Sequence, residues 1–448
     1  MTLTLRSACL LVAIAFGTSG CALFHEPVPN KLPLYARVAN TGELEAGAAA
    51  VDITPARDLY LGGFEPLRRA TGVHDPLFAR ALVLRRGDFE IALVSCDLVG
   101  LMRPQTQAIR AALENLDARH VIVASTHDHH SPDTMGLWGV PALSSGADPE
   151  YMAQVRAGAV RAITEARAAL RPAEIGAASA AFDAKAFIKN SRRPGLVDPD
   201  VAVLHVRERG GARTIATLIE LGCHPEAVKR ANTLVTADFP GAAVRALEAE
   251  LGGVGIYVSG ALGGLVSPDR SGAAPDDELA FGAARRIGET LAAHARRAID
   301  AIDAYDAAPA LGVWHSLVYL PNDNWRYDLL RWTGVVQRKM FGSGYLETEV
   351  SLWRIGTFAL ASVPGEISPD LGLRIQRAAG GTPTMLVGLA NDELGYLVPP
   401  WDYDMSYYDY ERKLCVGREA GWRVVMRLED LALYSQAALG ADAPAVPQ

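Results

Sequence analysis

The segment Val121-Ile122-Val123-Ala124-Ser125-Thr126-His127-Asp128-His129-His130 decides how the rest of this chain is read. Its opening apolar run reads as a buried strand. Three histidines then fall within four positions. In an extended chain alternate side chains share a face, so His127 and His129 point one way and His130 the other. Two imidazoles converging on one point suit zinc. A polar, hydrogen-bonded loop closing a core strand would use the same residue types.

Outward from this segment, strands are expected at Ile91–Cys96, Thr214–Leu221, Val254–Val258, Thr357–Val363 and Thr384–Leu389. Tyr345 to Val363 reads as a hairpin joined near Ile355-Gly356. Asp148 followed by Pro149 reads as the start of a helix with Met152, Val155, Ala159 and Ile163 on one face. A second helix is expected after Pro275, with Leu279, Ala283, Ile287 and Leu291 as its stripe. The resulting fold class is α/β, with mixed β-sheets flanked by helices. Several of these strands run into residues of metal-ligand type. Val121–Ser125 leads to His127 and His129, and Thr214–Leu221 to Gly222-Cys223-His224-Pro225-Glu226. Thr357–Val363 leads to Pro364-Gly365-Glu366, and Thr384–Leu389 to Asn391, Asp392, Glu393 and Tyr396. Loops at the carboxyl ends of strands line common crevices, so these ends can build one nitrogen- and oxygen-rich site.

Taken in order, these pieces resemble the neutral ceramidase family of zinc amidases, over about Gly47 to Arg427. The match begins with Asp52-Ile53-Thr54-Pro55 and Gly72-Val73-His74-Asp75-Pro76-Leu77-Phe78-Ala79-Arg80. It continues through Cys96-Asp97-Leu98-Val99-Gly100, the Thr126-His127-Asp128-His129 segment, Gly222-Cys223-His224-Pro225 and Val363-Pro364-Gly365-Glu366. The resemblance implies a zinc ion held by His127, His224, Glu366 and Tyr396. It implies His129 beside the activated water and the scissile carbonyl. Arg192, in Asn190-Ser191-Arg192, stands near a family arginine, and Tyr410-Glu411 near a family Tyr-Glu pair, with Tyr408 at an equally good spacing from Tyr396. Ser267, in Gly264-Leu265-Val266-Ser267-Pro268, aligns with a reactive-site serine. The substrate so implied is a lipid amide, ceramide first, with other N-acyl amines as the alternative.

The chain also departs from the family pattern. Leu265 replaces an acid, and His130-Ser131-Pro132 stands where Ser-Gly-Pro is usual. The chain is expected to lack the family's C-terminal immunoglobulin-like domain. Met135, Leu137, Trp138 and Leu143 are candidates for an acyl channel or for ordinary packing, and Trp325, Trp332 and Phe341 form a second aromatic group without an assigned role. A metallo-β-lactamase-like site is disfavoured because Ser131 and Pro132 break its His-x-His-x-Asp-His pattern. A serine hydrolase is disfavoured because Pro268 removes the N–H that an oxyanion hole needs after Ser267. A binding lipoprotein that kept the fold without catalysis is the rival from another class.

The net charge of −8, without basic blocks, argues against a nucleic-acid partner. Arg6, the apolar stretch Cys9–Gly17 and Thr18-Ser19-Gly20-Cys21 read as a signal peptide over 1–21. Its form is that of a lipoprotein, so the expectation is export to a bacterial cell envelope and contact with the membrane surface through a lipidated Cys21, with simple secretion as the alternative. Residues 22–44, with Pro27, Pro29 and Pro33, read as a spacer. Residues 45–440 read as one catalytic domain, and 441–448 as a flexible tail. Cys96, Cys223 and Cys415 match no cysteine-based zinc motif.

Overall fold

A computed structural model describes residues 26–140, 143–182, 187–211, 213–269 and 280–440. Strands form where apolar runs recur, and they assemble into two large mixed sheets. The larger sheet has eight strands in the spatial order Val254–Ser259, Thr214–Leu221, Asp200–Glu208, Arg171–Ala181, Leu44–Asp52, Phe78–Arg86, Phe89–Cys96, Val121–Ser125. Its two terminal pairings are parallel and the inner ones antiparallel. The second sheet runs Leu34–Ala39, Leu311–Pro321, Tyr345–Ile355, Phe358–Ser362, Thr384–Val387, with the short Met340–Phe341 paired beside Tyr345 and Leu346. The expected hairpin is present, turning at Gly356 and Thr357 between antiparallel partners.

The two sheets face each other. Leu82, Leu93, Ile122, Leu204 and Leu218 of one meet Val313, Trp353, Ile355, Leu360 and Val387 of the other in one dry cluster. The outer face of the larger sheet is covered by the helices Pro149–Ala168, Asp238–Leu251 and Phe281–Asp300. The outer face of the smaller sheet is covered by Pro369–Ala379 and Ala420–Gly440. Strands such as Phe89–Cys96, Val121–Ser125 and Thr214–Leu221 are therefore buried on both faces, which is why they read as continuous apolar runs rather than alternating ones.

Asp148 caps its helix by accepting the Tyr151 N–H at 2.9 Å, a contact that contributes about 1 kcal/mol. The second expected helix begins at Phe281, and Leu279 lies outside the described residues. One expectation is corrected. Part of the segment read as a spacer is a strand: Leu34–Ala39 pairs antiparallel with Leu311–Ser316. The prolines precede it, and its partner lies more than two hundred residues away.

Candidate functional site

The edge strand Val121–Ser125 does not end in open solvent. Asn391 donates its backbone N–H to the Val123 carbonyl at 2.7 Å and accepts the Val123 N–H on its side-chain oxygen at 2.8 Å. Asn391 has a left-handed backbone, φ 61°. This clasp ties the segment after Thr384–Val387 to the strand that carries the histidines, and so joins the two sheets at one end.

Past Ser125 the chain is not extended, because His127 has φ 66°. A non-glycine residue there is strained, and such strain collects at functional sites. His127 and His129 still meet, with their Nε2 atoms 3.2 Å apart. His130 turns away, fully buried, its ring tilted against that of Phe64 and facing Asp238.

Two imidazoles are locked the same way. His127 donates from Nδ1 to the Val99 carbonyl at 2.7 Å, and His224 donates from Nδ1 to the Val266 carbonyl at 2.9 Å. Each therefore turns its Nε2 inward, free of the backbone and available as a ligand once deprotonated. Glu366 Oε2 sits 2.9 Å from His224 Nε2 and 3.5 Å from His127 Nε2. The nearest ligand atoms of His127, His129 and His224 all lie within 4.8 Å of one another. Nitrogen lone pairs and a carboxylate facing one centre form a donor set that fits a divalent cation. Burial alone would raise the Glu366 carboxyl, but His127 and His224 outweigh it and hold it below the usual carboxylate range. Burial alone would lower His224, yet Glu366 raises it.

Glu366 and Tyr396 are register partners on two short parallel strands, so their side chains share a face. Tyr396 is buried, and desolvation followed by the charge of Glu366 pushes its phenol well above the usual value. The protein thus presents a neutral phenol at that corner.

His129 is desolvated and surrounded by His127, His224, His130 and Arg68, all of which depress its pKa. Its Nδ1 faces Glu226 Oε1 at 3.5 Å, and the edge of the Phe64 ring lies against it. Arg68 donates to the backbone carbonyl of His129 and, at 3.0 Å, to that of Gly62. Burial, the largest of these effects, favours the neutral form of the ring.

The site opens into a cavity of about 280 Å³. His127, His129, Glu366, Glu393, Tyr396 and Tyr410 lie at its polar end. Phe64, Met102, Met135, Leu137, Trp138 and Leu330 make its apolar walls. Leu143 lies outside, 78% exposed. Tyr410 is half-exposed, with desolvation raising its phenol to about 12. Tyr408 is buried beside Tyr396 and does not line the cavity, whereas Tyr410 does. Arg192 pairs with buried Glu411 at 2.6 Å, with its guanidinium 5.9 Å from the centre of the Tyr410 ring. Neither Arg192 nor Ser267 is among the cavity-lining residues. Ser267 follows Val266 on a two-strand ladder opposite Lys189. Cys96, Cys223 and Cys415 are buried free thiols.

Sequence reasoning missed Glu226, Gly63 and Phe64 as neighbours of His129. Glu226 carried a signal, two positions after His224; the loop around Gly63 carried none.

The family model for neutral/alkaline non-lysosomal ceramidase, N-terminal, matches residues 44–272, just over half of the chain. This chain belongs to the neutral/alkaline non-lysosomal ceramidase family. His127 and His224 lie inside the ceramidase match, and Glu366 and Tyr396 beyond it. A neutral ceramidase of Mycobacterium tuberculosis is 26% identical over 241 residues, 48% of this chain and 37% of that protein. The match therefore spans little more than a third of that curated relative. The crystal structure of neutral ceramidase from Pseudomonas aeruginosa has the same fold, with a TM-score of 0.74 at 18% identity, covering 91% of this chain and 76% of that one. A structure of a ceramidase complexed with C2 superposes with a TM-score of 0.75, also at 18% identity, covering 91% and 77%.

Proposed function

We propose that this ceramidase-family chain is a zinc-dependent hydrolase that cleaves the amide bond of an N-acyl lipid, with ceramide as the leading substrate. One observation carries the reading: an apolar cavity ends on inward-facing imidazole nitrogens and a carboxylate. His127, His224, Glu366 and Tyr396 would hold the ion. Zinc, when bound, supplies Lewis acidity that activates water and polarises a carbonyl.

The remaining roles belong to the chain itself. His129, held toward its neutral form by burial, the neighbouring imidazoles and Arg68, would take a proton from the attacking water at Nε2 and return it to the leaving amine. Glu226, with Oε1 3.5 Å from Nδ1, would orient the ring once the two close to hydrogen-bond distance. Tyr410, protonated at working pH, donates its O–H to the developing carbonyl oxygen. Arg192, held by Glu411, fixes the Tyr410 ring from behind and is a positioning residue. The apolar walls take the acyl chain and exclude water. Arg326 and Lys413 also line the cavity, which favours N-acyl amines bearing an anionic group as a second substrate class.

The exported, Cys21-anchored form remains part of this proposal, as does a single catalytic unit running to 440, which takes in the strand Leu34–Ala39 ahead of the expected start at 45. Among the described residues no helix is long and apolar enough to cross a membrane. The test is turnover of a fluorogenic N-acyl sphingosine with and without chelator. Release that stops with chelator and returns with zinc supports the reading. Zinc bound without turnover of any acyl amide would replace it with ligand binding.

A further inference from the structure

The helix Trp325–Trp332 has two apolar faces. Tyr327 and Leu330 turn inward, pack with Leu137, Trp138 and Met135, and line the cavity. Trp325, Leu329 and Trp332, at i, i+4 and i+7, form one outward stripe. Trp325 is 64% exposed and Trp332 85%. Phe341, grouped with them in the sequence, is buried against Tyr319 instead. Exposed Leu414, itself a lining residue, and exposed Leu67, next to lining Pro66, add apolar surface beside the cavity. Single exposed apolar residues need no explanation, but large ones gathered around one opening mark a binding surface.

We infer that this rim is a lipid-bilayer docking surface, through which an acyl lipid passes between membrane and cavity. The inference rests on the lipid-amide reading above. Three features favour a bilayer over a protein partner. The apolar rim is continuous with the apolar cavity wall, so a lipid chain leaving the membrane stays out of water. Two indoles on one helix stripe suit the membrane–water boundary, where an apolar ring with a polar N–H is at home. Cationic Arg326 stacks 4.7 Å over Trp325, and Lys413 lines the cavity. These side chains match the phosphates of lipid headgroups in an otherwise acidic chain.

The test uses the full chain with vesicles of phosphatidylcholine mixed with phosphatidylglycerol, carrying brominated acyl chains. Quenching of tryptophan fluorescence requires an indole inside the bilayer, wherever the N-terminus is attached. The wild type is expected to be quenched, and Trp325→Ala/Trp332→Ala to lose the quenching while keeping its thermal melt. Turnover of a water-soluble short-chain N-acyl amine should be unchanged in that variant. Turnover of a long-chain amide embedded in vesicles should fall about a hundredfold, roughly tenfold per indole withdrawn from lipid. Absence of quenching in the wild type, or equal vesicle turnover in the variant, overturns the inference. So does a concentration-dependent dimer that the two substitutions dissolve, since the rim would then be covered by a second copy. Quenching without hydrolysis of any amide would sink the catalytic reading and leave the docking surface standing.

Discussion

Gly63→Ala should slow turnover about a hundredfold without emptying the metal site. Gly63 has φ 70°, and a Cβ built on it would lie 2.4 Å from His129 Cγ and 2.7 Å from His129 Nδ1. Ordinary contacts begin near 3.4 Å, so the imidazole must retreat by about 1 Å. A displacement of that size at a reacting group costs on the order of a hundredfold in rate. The left-handed backbone adds about 1–2 kcal/mol of strain for alanine, which lowers Tm by a few degrees and leaves the protein folded. The assay is kcat on a soluble N-acyl amine, read beside bound zinc and a thermal melt. A folded variant with kcat within about threefold of wild type would refute the role of His129. Loss of zinc together with activity would make His129 a ligand instead.

His127→Ala is expected to abolish zinc retention and turnover together, whereas His129→Ala should lower kcat with zinc still bound; elemental analysis beside kinetics separates the two. Glu349→Gln should destabilise the fold by about 3–5 kcal/mol, measured by urea unfolding, because it leaves buried Arg103 and Arg110 without their shared carboxylate. The same group sets an acid limit. Burial alone would raise the Glu349 carboxyl, but Arg110 and Arg103 hold it at about 2. Its folded pKa is thus depressed below the unfolded value of about 4.3. Its contribution is full above that value and is lost as pH falls through about 2, so the Glu349→Gln and wild-type stabilities should converge across that window. Glu226→Gln should reduce kcat on the soluble amine by about tenfold to a hundredfold with zinc unchanged, as expected for a carboxylate that orients a working imidazole.

The strands that lead to His127, His224 and Glu366 were legible because each is a continuous apolar run ending in a ligand-type residue. Their burial on both faces by a second sheet or by helices makes that signal strong. The pairing of the two sheets was not legible. Leu34–Ala39 lies just after three prolines and becomes a strand only because Leu311–Ser316 offers it a ladder. The left-handed turn at His127 left no mark in the sequence, since the alternating pattern of His127, His129 and His130 reads as extended chain. Nor did the Asn391 clasp, where one side-chain amide substitutes for a missing strand. Such contacts depend on tertiary approach rather than on local propensity. The choice of Tyr410 over Tyr408 likewise turns on which ring reaches the cavity, and spacing alone left both open.

Zinc titration of the metal-stripped chain, followed by turnover of N-acyl sphingosine, puts the core of this account at risk most directly. Activity should rise in proportion to bound zinc and level off at about one ion per chain, and a chain carrying His127→Ala with His224→Ala should bind none at that site. Full turnover by the stripped protein, or undiminished zinc binding after both imidazoles are removed, would contradict it.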